Sequence, residues 1–165
     1  DHPGTTFLHK DRFSRGLGLF AAIEFVPPAE LPDKSFPLIL STGRVLYHYH
    51  TGTMTRLAEG PMQRYPESKI EIHPKDAKKF GIDEGQTVKV TSRRGEVQAK
   101  AVVTERSQEG TVFMNFHFNE AAVNQLTNPA LDPFGKIPEF KYCAVAVQPG
   151  GELAPVAGFS PAPLH

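Results

Sequence analysis

Short alternating segments, each ended by a turn signal, restrict most strongly how this chain can fold. Residues 69–73 place Ile70 and Ile72 on one face, and residues 86–92 alternate in the same way. This period of two is typical of half-buried β-strands. An Arg-Arg-Gly turn then closes a hairpin onto a third alternating segment, residues 96–103. The pattern predicts a sheet of short strands.

One short helix is predicted between the first two of these strands. Pro74 suits the first turn of a helix over residues 75–80, and Gly81 suits its C-terminal cap. A helical turn or two is predicted at 120–126, a loop with two prolines at 59–68, and further strands at 36–40, 111–118, 142–147 and, more loosely alternating, 20–26. Many short strands with few helices predict a small closed β-barrel.

Composition excludes several classes of protein. The 165 residues suffice for one domain with a core. The 18 basic and 18 acidic side chains balance, which argues against nucleic acid or an anionic membrane as a partner. No apolar run reaches the roughly 20 residues that cross a bilayer, and none resembles a signal peptide. The single cysteine, Cys143, excludes an internal disulfide and is predicted to be a packed, inert thiol.

Proline and glycine concentrate toward both ends of the chain. We therefore predict an extended linker at 1–34, a folded domain at 35–148 and a Pro/Gly-rich tail at 149–165. The chain begins with Asp1, without an initiator methionine. An excised piece of a larger polypeptide is the simplest interpretation, and a separately encoded small subunit or a processed chain are the alternatives.

A polar loop follows the first apolar strand. Residues 41–56 carry five Ser or Thr hydroxyls, two glycines, and the donors Arg44, Arg56, His48 and His50. Glycine amides and Arg side chains suit phosphates or a polar heterocycle, although a solvated loop after an edge strand would have a similar composition. Charged turns at 93–94 and 104–110 are predicted to be solvated surface, and Phe113 and Phe118 to be core.

The histidines raise the question of a metal site. On a strand, His48 and His50 would point to the same face, and His73 or His117 could supply a third ligand. The chain has no His-Glu-x-x-His motif and no carboxylate at ligand spacing near them. We therefore expect no metal held by this chain.

Several blocks of the sequence resemble one known family in their order and spacing. They are the stretch 38–56, which begins LILSTGR, then 70–95, 110–118, 124–128 and the run PEFKYCAV at 138–145. Together these blocks, covering roughly 36–148, resemble the molybdopterin dinucleotide-binding domain, the C-terminal domain of molybdenum and tungsten oxidoreductases. The likeness is greatest to formate dehydrogenase catalytic (alpha) subunits. The resemblance implies a six-stranded double-psi β-barrel with short helices.

The resemblance also implies a set of cofactor-binding residues. The domain would cap a bis(molybdopterin guanine dinucleotide) cofactor, with the metal held by the cofactor and by the rest of the parent protein. The positions implied are Thr42, Gly43, Arg44, Tyr47, His48, His50, Thr51, Phe116, His117, Asn124, Phe140 and Lys141. Phe116 stands where the family can carry tyrosine. No catalytic residue is implied within this chain, so the isolated fragment is expected to be inactive.

The implied parent enzyme oxidises formate to carbon dioxide and releases two electrons. Its implied partners are the remaining domains of the catalytic subunit and iron–sulfur or flavin electron-transfer subunits. We expect a cytoplasmic parent, with export through a twin-arginine signal as the alternative. Two other functions stay open: a stand-alone double-psi barrel that serves as a binding or assembly module, and a subunit of formylmethanofuran dehydrogenase.

Overall fold

A computed structural model describes residues 3–156, and the ends of the predicted linker and tail lie outside these residues. Six strands form a closed barrel in the order β1-β5-β2-β4-β3-β6. Their bounds are β1 Leu38–Gly43, β2 Lys69–Ile72, β3 Thr87–Thr91, β4 Glu96–Val103, β5 Thr111–Asn115 and β6 Cys143–Pro149. The predicted closed, mainly β barrel is confirmed.

Two parallel pairings distinguish this barrel from a simple up-and-down barrel. Strand β1 runs parallel to β5, and β2 runs parallel to β4, whereas the other four pairings are antiparallel. Parallel neighbours cannot be joined by a tight hairpin, so the chain crosses an end of the barrel and forms other strands before it returns to the neighbouring position. The polar loop after β1 is part of one such connection, which is why it lies at an end of the barrel.

The alternating side chains fill the barrel as the sequence predicts. Ile70, Ile72, Val88 and Val90 are each at most 1% exposed. They pack with inward-facing residues of the other strands, among them Leu40, Val112, Met114 and Val145. Burial of this apolar area at roughly 25 cal/mol per Å² is the main stabilising term for a domain of this size.

Two short helices lie outside the barrel wall. Helix α2, Pro74–Phe80, begins and ends as predicted, and its C-terminal cap Gly81 has φ of 66°, which only glycine adopts without strain. Helix α1, Glu59–Arg64, occupies residues predicted to be a loop. That prediction was wrong because Pro61 lies in the first turn, where a backbone N–H has no partner within the helix.

Short 3₁₀ turns complete the regular structure. They span Thr55–Leu57, Asn119–Ala121 and Val123–Gln125, and the last two are the helical turns predicted at 120–126. Strand β5 ends at Asn115, three residues earlier than predicted, so residues 116–118 lie in the connection that follows. In the part of the chain that the structure describes, no helix combines the length and apolar character needed to cross a bilayer.

The N-terminal segment does not form the strand predicted at residues 20–26. It contacts the barrel further along, where both oxygens of the Glu30 carboxylate accept hydrogen bonds from Arg94. The guanidinium of Arg94 also donates to the Leu126 carbonyl, with its Nε at 3.0 Å and Nη2 at 2.8 Å. Arg94 was predicted to be solvated, and this is wrong because its pairing with Glu30 leaves it half-buried. Glu30 lies 64 residues away in sequence, so the local pattern could not indicate this pairing.

Candidate functional site

A cavity of about 390 Å³ opens at the end of the barrel beside β1. This volume is within the range of small-molecule sites. Its walls come from the loop after β1, the segment after β5 and the residues before β6: Thr42, Arg44, His50, Thr51, Phe116, Asn124, Phe140 and Lys141. All eight belong to the twelve positions implied by the sequence. The structure therefore brings together residues from four of the sequence blocks.

Two hydrogen bonds join two neighbouring walls of this cavity. The hydroxyl of Thr42, at the end of β1, donates to the Phe140 carbonyl at 2.8 Å. The Lys141 ammonium donates in return to the Thr42 carbonyl. An ammonium has three N–H donors, and this bond uses one of them. The pair of bonds fixes the position of the Lys141 charge at the cavity wall.

An aromatic ring and two nitrogen-rich side chains form another part of the wall. The Arg44 guanidinium carbon lies 5.9 Å from the centre of the Phe116 ring. The His50 ring approaches the same ring edge-on, with centroids 5.7 Å apart. His50 has φ of 50°, an uncommon backbone conformation for a residue other than glycine. This conformation carries the chain into the turn that brings Thr51 to the cavity.

His48 does not share a face with His50, contrary to the prediction for a strand, because the segment is a loop. Its side chain is buried, with Nδ1 3.1 Å from the Thr55 hydroxyl and Nε2 2.8 Å from the Tyr65 carbonyl. A carbonyl only accepts hydrogen bonds, so Nε2 carries a proton and donates to Tyr65. His48 therefore ties the polar loop to the segment after α1.

His117 stacks beside His48 with ring centroids 4.3 Å apart. Its Nδ1 lies 3.2 Å from the amide nitrogen of Asn115. The Asn115 oxygen accepts from the Tyr65 hydroxyl and from the Lys69 amide, so the Asn115 NH₂ group is the one facing His117. Nδ1 must then accept, and the proton lies on Nε2.

The Nε2 atom of His117 is buried without a hydrogen-bond partner among the described residues. Burial, followed by electrostatic interactions with His48 and Arg56, lowers the pKa of His117 to about 4, so the ring is neutral at pH 7. A buried N–H without an acceptor is costly. His117 thus offers a donor to an acceptor group of a ligand.

A second cavity, of about 400 Å³, lies on the other side of the same loop. Thr51 lines both cavities, and the second is also lined by Thr53, Arg56 and His117. Arg56 pairs with Glu120 and lies over the Phe118 ring at 5.2 Å. The sequence drew attention to Thr53 and Arg56 as part of the polar loop, but their place beside His117 emerges only in three dimensions.

The other implied positions have different surroundings. Gly43 is buried against Phe113, and a Cβ at Gly43 would lie 2.5 Å from that ring. Phe113 was predicted to be core, and this is wrong because its side chain lies over Gly43 on the outward face of β5 and is only half-buried. Phe118 is fully buried as predicted. Tyr47 is 42% exposed and lines neither cavity. Within residues 3–156, no three His, Cys, Asp or Glu side chains are grouped so as to hold a metal ion.

Comparison with known families shows which family this barrel belongs to. The sequence profile described as "Molydopterin dinucleotide binding domain" matches residues 38–144, which include the whole barrel up to the start of β6. The chain belongs to the molybdopterin dinucleotide-binding domain family. The family predicted from the sequence is confirmed.

Individual relatives agree with the family. The chain is 53% identical over 150 residues to the F420-dependent formate dehydrogenase subunit alpha of Methanocaldococcus jannaschii. It is 49% identical to the F420-dependent formate dehydrogenase 1 subunit alpha of Methanococcus maripaludis, and 39% identical over 155 residues to the assimilatory nitrate reductase catalytic subunit of Bacillus subtilis. In each case 90% of this chain aligns, but it spans only 22% of the relative.

A solved structure agrees with the fold. Acetylene hydratase from Pelobacter acetylenicus superposes with a TM-score of 0.61 at 17% identity, over 68% of this chain and 18% of that chain. At this level of identity the match supports the shared barrel alone.

The ligand of a molybdopterin dinucleotide-binding domain has phosphates and a polar heterocycle. The side chains at the two cavities can bind both kinds of group. Arg44 and Lys141 supply positive charge at the first cavity, as phosphate binding requires. The Asn124 amide can donate and accept at once, which suits a heterocycle edge. The partnerless Nε2–H of His117 supplies a buried donor at the adjoining cavity.

Proposed function

We propose that this chain is the cofactor-binding domain of a formate dehydrogenase alpha subunit, and that the two adjoining cavities hold part of a bis(molybdopterin guanine dinucleotide) cofactor. The observation that carries the proposal is the identity of about half of the residues with formate dehydrogenase alpha subunits over 90% of the chain. The domain is proposed to comprise residues 35–148, with the flanking segments joining it to the rest of the subunit.

Each side chain at the cavities has a definite task in this proposal. Arg44 and Lys141 bind phosphate oxygens, and the Thr42 hydroxyl holds the Lys141 backbone in place through the Phe140 carbonyl. Asn124 and the flat Phe116 ring bind a heterocycle. His117, neutral at pH 7, donates from Nε2 without adding charge.

The bound cofactor supplies a molybdenum or tungsten centre at which formate gives up two electrons and a proton as carbon dioxide forms. This chain contributes binding and orientation. Its single thiol, Cys143, is buried within β6. We therefore expect the remaining metal ligand, and the contacts with iron–sulfur or flavin electron-transfer subunits, to come from other parts of the enzyme. The alpha subunit is expected in the cytoplasm, and a twin-arginine signal in the same polypeptide would instead indicate export.

The test uses the complete alpha subunit with its cofactor. Arg44→Ala and Lys141→Ala should each lower molybdenum or tungsten and pterin content, because loss of one charge-assisted hydrogen bond costs about 1.5–3 kcal/mol, roughly ten- to a hundred-fold in affinity. Metal analysis, pterin fluorescence and formate oxidation are measured on the same samples. Full cofactor content in both variants would contradict the proposed site.

Lys78→Ala is the matched control because Lys78 is exposed in the last turn of α2, away from both cavities. Arg93 is unsuitable as a control, since it pairs with Asp33 and lies over the Phe36 ring. Lys141→Arg keeps the positive charge and should retain more cofactor than Lys141→Ala.

The similarity to a nitrate reductase catalytic subunit supports a second candidate substrate. Formate is preferred because the identity with the formate dehydrogenase subunits is higher, 53% against 39%. Assays of formate oxidation and nitrate reduction on the same purified subunit distinguish the two, and nitrate reduction without formate oxidation would reverse the assignment.

A further inference from the structure

An apolar strip, residues 17–26, lies unprotected in the N-terminal segment. Its large side chains are almost fully exposed: Leu17 90%, Leu19 74%, Phe20 98%, Ile23 89%, Phe25 86% and Val26 79%. Scattered exposed apolar residues are normal, but a contiguous group of this size marks an interaction surface.

The backbone of the strip is unprotected as well. Within the described residues 3–156, no backbone hydrogen bond joins residues 17–28 to any other residue, and residues 18–28 form neither helix nor strand. Yet the odd-numbered positions from Leu17 to Phe25 are all apolar, which in an extended chain places them on one face. The sequence thus encodes a strand for which the described chain supplies no neighbour.

The residues that follow the strip are held to the barrel by hydrogen bonds and ion pairs. The amide of Ala29 donates to the Glu139 carboxylate at 3.2 Å. Glu30 accepts from the Ala144 amide in β6 as well as from Arg94, and Asp33 pairs with Arg93. Pro27 and Pro28, which have fixed φ angles, separate these anchors from the strip. An anchored, stiff base limits the entropy lost when the strip docks.

We propose that the apolar strip is an interface strand that pairs with the part of a catalytic alpha subunit lying outside this chain. The length of the relatives indicates what covers the strip. This chain spans only 22% of its formate dehydrogenase relatives, so most of such a subunit is available to pack against the strip. The single charge within the strip, Glu24, and the balanced overall charge give no attraction to an anionic membrane. This inference rests on the proposed function.

Addition of the strip to a neighbouring sheet explains both the exposed apolar side chains and the unpaired backbone groups. Unpaired N–H and C=O groups pair with the edge of a neighbouring sheet. The odd-numbered side chains then face the partner's apolar surface, and Glu24 lies on the opposite face together with Phe20 and Val26.

The test is hydrogen exchange in the complete, cofactor-loaded alpha subunit. Amides of residues 18–26 should exchange at least about 100-fold more slowly than in an unstructured peptide of the same sequence. The double variant Ile23→Ser/Phe25→Ser should lose most of this protection. Glu24→Ser, a change between them on the opposite face, should keep it and serves as the matched control.

Three results would overturn the proposal. They are exchange at the unstructured rate, equal loss of protection in the double variant and in Glu24→Ser, and protection that disappears on dilution together with dissociation of a dimer, which would assign the strip to a second copy. Formate oxidation and cofactor content are measured on the same samples. An active, loaded subunit with an unprotected strip refutes this inference alone, whereas a protected strip in a subunit inactive toward formate supports it and refutes the proposed activity.

Discussion

Replacing Arg94 by alanine should destabilise the domain far more than its position in a charged turn indicates. Its side chain is 23% exposed and that of Glu30 only 12%. The variant loses two bonds to the Leu126 carbonyl and leaves Glu30 with the Ala144 amide and with Arg93 at 3.4 Å. Breaking a buried pair costs about 3–5 kcal/mol. Because Arg94 retains some exposure and Glu30 keeps partners, we expect about 2–3 kcal/mol.

The assay is urea unfolding of the 165-residue chain followed by circular dichroism, with Lys78→Ala as the exposed control, which should change the unfolding free energy by less than about 0.5 kcal/mol. A double-mutant cycle with Glu30→Gln should give a coupling of at least about 1 kcal/mol. If Arg94→Ala behaves like Lys78→Ala, or no coupling is found, the reasoning is refuted.

The same pair gives a pH dependence. The hydrogen bonds from Arg94 lower the pKa of Glu30 below its ordinary value of 4.5. A lowered carboxyl pKa means that the stabilisation is complete above the unfolded-state pKa and is lost as the pH falls through the folded-state pKa. The destabilisation caused by Arg94→Ala should therefore shrink in acid.

Three further predictions concern single side chains. The pKa of His117 is lowered from 6.5 to about 4, so the stability that depends on its neutral ring is complete above pH 6.5, and up to about 3 kcal/mol of unfolding free energy is lost as the pH falls toward 4. His117→Phe should lack this pH-dependent loss, and identical profiles of unfolding free energy against pH for the two proteins would contradict the prediction. Burial raises the pKa of the Cys143 thiol to about 11, so native labelling by a disulfide reagent should be at least about 100-fold slower than in urea, and equal rates would show an accessible thiol. Gly43→Ala brings a Cβ within 2.5 Å of the Phe113 ring and should cost about 1–3 kcal/mol in unfolding free energy; Phe113→Leu should restore part of it, and no rescue would mean that the clash is not the cause.

The sequence by itself determined the local elements. The alternation at Ile70, Ile72, Val88 and Val90 gave the buried faces of β2 and β3, because side chains on a strand must alternate between its two faces. Helix α2 was predictable since Pro at its start and Gly at its end act on the backbone without help from distant residues. The order and spacing of the family blocks identified the barrel and the eight residues that line the first cavity.

Tertiary structure decided which residues face each other. Arg94 is half-buried because Glu30 and the Leu126 carbonyl meet it from distant parts of the chain. His48 is buried and His50 exposed, since the loop abandons the strand geometry that would have aligned them. No periodicity encodes such contacts.

The cavities depend most on long-range pairing. The bonds between Thr42 and the 140–141 segment join residues 98 and 99 positions apart, next to the antiparallel pairing of β1 with β6. The strip at 17–26 shows the converse: its local pattern favours a strand, but a strand needs a neighbour to satisfy its backbone. Local sequence thus specified which segments could pair, and the closed barrel determined which of them did.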